Sequence, residues 1–123
     1  MHATELPSLR LYPAQDVSRA RRFYEGKLGF GPGREVAGGV VYEFGKGTAA
    51  FLYPTPNAGT SKASQAFWQV ADVEREVAEL KKRGVKFEDY PGAKDGILTQ
   101  GGAKAAWFKD SEGNILALIQ SME

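Results

Sequence analysis

Apolar positions in this chain recur with two different periods, and the periods alternate along its length. Ser8 to Ala14 (SLRLYPA) alternates like a strand, and Pro13 near its end fits an edge position or a bulge. From Asp16 the spacing changes: Val17, Ala20, Phe23/Tyr24 and Leu28 form one helical stripe that ends near Gly29, with Asp16 as the N-cap. Strand-like runs then return around Arg34–Ala37, Val40–Phe44 and Thr48–Tyr53. A polar segment, PTPNAGTSKAS at 54–64, interrupts the pattern and reads as a linker. Beyond it the sequence predicts a strand at Gln65–Val70 and a helix from the N-cap Asp72 to Arg83, with Val73, Val77 and Leu80 facing inward. Cations in the last turn and Gly84 after it terminate that helix. Short strands near Lys86–Asp89, Ala105–Lys109 and Ile115–Gln120 complete the chain, the last two joined by a turn at Asp110–Asn114.

The predicted order is therefore βαβββ, linker, βαβββ, an internal repeat. Ala14-Gln15-Asp16-Val17 reappears as Val70-Ala71-Asp72-Val73, 56 positions later. Both helices end close to a Gly followed by an apolar residue, Gly29-Phe30 and Gly84-Val85. The expectation is an α+β fold of a single domain: module one over 7–55, linker 56–63 and module two over 64–121. Each module would form a small curved sheet with one helix outside, and the two concave faces would enclose a cleft.

Composition narrows the function classes. At 123 residues the chain suits one domain, and 15 glycines placed between the short apolar runs mark turns rather than disorder. Sixteen basic and fifteen acidic residues, without a block of one sign, leave no electrostatic footprint for nucleic acid or an anionic membrane. There is no cysteine, which removes disulfide and thiolate chemistry. No apolar run is long enough for a signal sequence or a membrane span, so a soluble cytoplasmic protein is the expectation. None of the Gly-rich stretches has phosphate-loop spacing before a helix. The lone histidine, His2, precedes every predicted element, which leaves no internal imidazole for base chemistry.

QDVSRARRFYEGKLGF resembles the first-module signature of the vicinal oxygen chelate superfamily, the glyoxalases, bleomycin-resistance proteins and extradiol dioxygenases. VADVEREVAELKKRGVKF is similar to its second-module counterpart, and FKDSEGNILALIQ to its closing turn and strand. The resemblance implies two paired modules around a cleft that, in the family's enzymes, holds a divalent metal. Carried onto this sequence, the metal-ligand positions fall on Leu9, Gln65, Phe51 and Ala117. Only Gln65 of these has a donor atom, whereas such metals need three or more N/O ligands. The expectation is thus no catalytic metal and no other cofactor.

Strand alternation gives the candidate site. Leu9, Leu11, Phe51 and Tyr53 in module one, and Gln65, Phe67, Gln69, Ala117 and Ile119 in module two, should line the cleft. Ile115 shares the face of Ala117, while Leu116, Leu118 and Trp68 should point beneath the helices. Such an aromatic and aliphatic wall with two amides is the usual make-up of a small-molecule pocket. Phe51, Tyr53 and Phe67 are equally compatible with plain core, and the two glutamines with solvated or backbone-bonded roles. Tyr42 and Trp107, whose register the sequence leaves open, read as packing residues. Asp110 and Gly113 read as turn chemistry, and Arg19, Arg21 and Arg22 as a solvated helix face. Glu35, Glu43, Glu88 and Asp89 are the carboxylates that could border the cleft. The leading functional expectation is a homodimeric protein that captures an aromatic or amphipathic small molecule. A glyoxalase-type lyase or isomerase, or a dioxygenase relative, with an atypical site stands as the alternative, and an ancillary subunit as a third.

Overall fold

The structure is a computed structural model that describes residues 9–120. Eight strands form two four-stranded mixed sheets: β1 (Leu9–Ala14), β2 (Arg34–Val36), β3 (Gly39–Glu43) and β4 (Ala49–Pro54) in the order β1-β4-β3-β2, and β5 (Ser64–Gln69), β6 (Leu98–Gln100), β7 (Ala103–Lys109) and β8 (Ile115–Gln120) in the order β5-β8-β7-β6. In each sheet the first strand runs parallel to the last and the remaining pairs are antiparallel, so both halves are βαβββ units.

Both helices start where the sequence places them. The Asp16 and Asp72 carboxylates accept hydrogen bonds from Arg19 N and Arg75 N, which begins α1 (Val17–Arg21) and α2 (Val73–Lys82). The first helix is not uniform, however. After Arg21 it widens into a π-helical turn over Arg22–Lys27, closed by Leu28 N to Phe23 O at 3.1 Å. Phe23 and Tyr24 are both buried there, and their rings meet edge-on at 5.5 Å.

Alternation then decides what the helices cover. Tyr12, Val40, Tyr42 and Leu52 from the first sheet and Ala66, Ala106, Phe108, Leu116 and Leu118 from the second are buried on the helix side. They form one core that crosses the module boundary, with Tyr12 stacked on Tyr24 at 5.1 Å and Phe30 packed on Trp68 at 5.4 Å. The expected inward direction of Trp68, Leu116 and Leu118 agrees with this core. Tyr42 is a packing residue as expected, its hydroxyl donating to Glu25 Oε2 at 2.7 Å.

The strand expected at Lys86–Asp89 is corrected. That segment makes only an isolated bridge, Phe87 to Phe108, and the second strand of this sheet in chain order is β6. Gln100 pairs with Ala103 across Gly101-Gly102, a two-residue hairpin turn in which both glycines take positive φ. The β7 edge is shared: β6 takes Ala103–Ala105, and the 86–89 segment meets only the Trp107–Phe108 end, where Glu88 N donates to Trp107 O at 2.7 Å.

The segment between the sheets is less loose than its composition implies. Ala58 is buried, Gln15 Nε2 donates to Pro56 O, and Gly59 N donates to Asn114 Oδ1 at 3.3 Å.

Candidate ligand-binding face

Strand register assigns the face opposite the helices. In the first sheet Leu11, Phe51, Val41 and Arg34 lie side by side, and in the second Phe67, Ala117 and Trp107 do, followed by Gln69, Ile119 and Ala105. Across the junction between sheets, Gln65 Nε2 donates to Leu11 O at 3.0 Å, which sets the outer strands β1 and β5 beside each other. The helix-free faces of the two sheets therefore adjoin along that seam.

The candidate residues of this face are brought together with differing exposure. Leu9, Leu11 and Phe67 are 40%, 52% and 47% exposed, unusual values for large apolar side chains at the centre of a paired sheet. Phe51 and Tyr53 are half-buried and stacked, their rings nearly parallel at 6.0 Å. Ile119 is half-buried, Gln69 is exposed, and Ala117 is covered between its register partners Phe67 and Trp107. Gln65 departs from the simple alternation. The register slips between Ser64 and Ala66, so Gln65 sits at a bulge and spends its amide N–H on the seam.

Trp107 belongs to this face, although the sequence reading assigned it to packing. It stands opposite Ala117, its indole N–H donates to Ser64 Oγ at 3.2 Å, and Tyr90 meets it edge-on at 5.3 Å. The signal was available: Ala117 has a known parity, and the Asp110–Asn114 turn fixes its partner. The first sheet thus presents the Phe51/Tyr53 pair, and the second presents Trp107 with Tyr90 of the α2–β6 connection against it.

Among the candidate carboxylates, Glu43 shares the row of Leu9 and Ala49 and is paired with Arg34 at 3.4 Å. Glu35 lies on the helix side and pairs with Arg21. Glu88 faces Lys109 at 3.8 Å. Among the described residues, the hydroxyl–carboxylate hydrogen bonds are Tyr24–Asp110, Tyr42–Glu25 and Ser111–Glu112, and these lie off this face.

The four positions where the family's enzymes hold a metal do not fit one here. Leu9, Phe51 and Ala117 have no donor atom, and the Gln65 amide is engaged with backbone. Among the described residues no three His, Cys, Asp or Glu side chains cluster in a metal-binding arrangement. His2 lies outside the described residues.

A second polar cluster lies at the β7–β8 turn; it corrects the solvated reading of Arg19 and Arg21, whereas Asp110 and Gly113 do the turn chemistry expected of them. The Glu112 carboxylate accepts from Gln15 N, Asp16 N, Ser111 Oγ and, bidentately, from Arg19 at 2.8 and 2.9 Å. The Arg19 guanidinium and the backbone N–H groups hold this carboxylate well below its usual range, at about 2. Asp110 accepts from Glu112 N, Asn114 N and Asn114 Nδ2, and the buried Tyr24 hydroxyl donates to it. Burial and the neighbouring Asp110 charge push the Tyr24 hydroxyl upward, so it stays a neutral donor. Arg21 pairs with Glu25 at 2.6 Å. The turn therefore docks the second module onto the start of α1, a contact that spacing within either module could not reveal.

Two mixed sheets with adjoining first strands, helices on one side and an open aromatic face on the other define a paired-module α+β protein. The sequence profile of the Glyoxalase/Bleomycin resistance protein/Dioxygenase superfamily matches residues 6–118, and the chain belongs to that family. Among solved structures, the fold is similar to TnmS3, an antibiotic binding protein from Streptomyces sp. CB03234, with TM-score 0.68 and 23% identity over 95% of this chain and 98% of that one. It is also similar to a glyoxalase/bleomycin resistance protein/dioxygenase from Alicyclobacillus acidocaldarius, with TM-score 0.75 and 16% identity over 100% and 96% of the two chains. A lactoylglutathione lyase from Agrobacterium tumefaciens gives TM-score 0.68 and 16% identity over 96% and 95%. Among curated proteins none matches this chain in sequence.

Proposed function

We propose that the protein captures a flat, largely uncharged small molecule on its helix-free face, without a catalytic metal. The carrying observation is the composition of that face. Where the family's enzymes place ligands to a metal, this chain places Leu9, Phe51 and Ala117, next to the exposed Leu11 and Phe67. The stacked Phe51/Tyr53 pair offers a planar surface for rings, and the Tyr53 hydroxyl and Gln69 amide can bond carbonyl or hydroxyl groups. A similar fold in an antibiotic binding protein supports this reading. An open face of this kind is covered most simply by a second copy, so the working unit is a homodimer whose partner helps wall the ligand.

The test is a fluorescence titration with a neutral hydroxylated anthraquinone, which is flat and carries carbonyl and hydroxyl groups. Saturable quenching that is largely lost in Trp107→Phe, while Trp68 remains, is the expected result. Quenching that persists in Trp107→Phe and disappears only in Trp68→Phe places the ligand under the helices and refutes the proposal.

A further inference from the structure

The repeat places two equivalent turns at equivalent ends of the molecule, and their chemistry differs. In the second half, Asp110 N bonds Asn114 O and Glu112 sits within the turn; in the first half, Phe44 N bonds Thr48 O and the corresponding position holds Lys46, with a left-handed φ of +60°. Besides Ser111 Oγ of the turn itself, the donors to the Glu112 carboxylate are Gln15 N, Asp16 N and the Arg19 guanidinium. Their counterparts 56 positions on are Ala71 N, Asp72 N and Arg75, at the start of α2. The turn supplies no carboxylate there, because Lys46 stands in its place.

A cavity of about 710 Å³ opens at this point, between the 44–48 turn and the β5–α2 connection. Arg10 and Lys46 border it as cations, and Phe44, Phe67 and Trp68 supply aromatic walls. Tyr12 also lines it. That side chain is 1% exposed, and among the described residues its buried hydroxyl has no hydrogen-bond partner. Burial pushes this hydroxyl upward, which keeps it a neutral donor. The Arg75 side chain is exposed and reaches Glu76 only at 3.8 Å, so it is able to turn toward an anion as Arg19 does. The Asp72 cap does not forbid an anion beside it, since Asp16 caps α1 immediately beside Glu112.

We propose that this groove binds a small molecule with a carboxylate on an aromatic body, the carboxylate standing where Glu112 stands in the other half. The aromatic part lies against Phe44 and Trp68, and Lys46, Arg10 and the Ala71 and Asp72 N–H groups hold the anion. The site lies toward the helix side of the β1–β5 seam and shares Phe67 and Gln69 with the proposed cleft.

Benzoate, with benzyl alcohol as the neutral control, tests this on the intact protein. Trp68 is followed by fluorescence in a Trp107→Phe background, and stability by thermal unfolding. Benzoate at millimolar concentration is expected to give a saturable Trp68 response and a raised Tm, benzyl alcohol to give neither, and Lys46→Ala to weaken binding about tenfold. Lys46→Glu provides the missing carboxylate from the chain itself, so it is expected to raise Tm without ligand and to abolish the benzoate response. No saturable response to benzoate in the wild type, an equal response to benzyl alcohol, or a response that survives in Lys46→Glu would overturn the proposal. These outcomes are independent of anthraquinone binding at Trp107.

Discussion

Glu112 shows how one side chain can join two halves of a molecule. Five donors converge on its carboxylate, and all but Ser111 come from the β1–α1 connection or α1 itself. Its depressed pKa means that the folded state binds its proton less readily than the unfolded state does. The stability it contributes is fully present above the ordinary carboxylate range and is lost as pH falls toward about 2. Glu112→Gln should cost about 2–3 kcal/mol near neutral pH, the scale of hydrogen bonds to a charged group. Urea unfolding of the wild type and variant should converge as the pH is lowered, and a difference independent of pH would disprove the assignment. The ligand-binding face calls for a different contrast. Phe67→Ala should weaken binding of the anthraquinone by about ten- to hundred-fold, or about 1–3 kcal/mol, with little loss of stability, because Phe67 is half open to solvent. Phe108→Ala, within the core, should cost about 3–5 kcal/mol of stability. Equal destabilisation by both, with binding unchanged in Phe67→Ala, would make Phe67 a core residue.

At the scale of elements, periodicity was a good guide wherever one face of an element is buried. The two capping aspartates, the alternation of β4 and β8, and the inward Val73 and Val77 follow from local pattern, and the structure agrees with each. Local pattern fails where a tertiary contact decides. The Lys86–Asp89 run has strand-like residues, yet it reaches only the Trp107–Phe108 end of a β7 edge whose Ala103–Ala105 part pairs with β6. Gln65 has cleft parity in the sequence, but the bulge turns its amide onto Leu11 O. Arg19 looks solvated until the β7–β8 turn of the other module arrives. The 54–64 segment is polar, yet Gly59 is held against that same turn. Its φ is +78°, and a Cβ there would stand 2.3 Å from the Glu112 carbonyl oxygen. Gly59→Ala should therefore lower Tm by several degrees and loosen the Glu112 clasp, seen as faster amide exchange at Gln15 and Asp16. An unchanged Tm would show that the segment merely connects the sheets.

The whole molecule carries two internally paired modules, one shared core beneath the helices, and an aromatic face with no cover of its own among the described residues. No helix there is long and apolar enough to cross a membrane. The family's metal positions are filled here by Leu9, Phe51, Ala117 and a backbone-bonded Gln65, and the proposal of metal-free binding rests on that. Native mass spectrometry of the purified protein, with and without the hydroxylated anthraquinone, tests that claim most directly. The account predicts a mass of two chains without stoichiometric metal, and uptake of the anthraquinone that Phe51→Ala and Phe67→Ala diminish. A single chain that takes up no anthraquinone, or one metal per chain that is lost in Gln65→Ala, would contradict it.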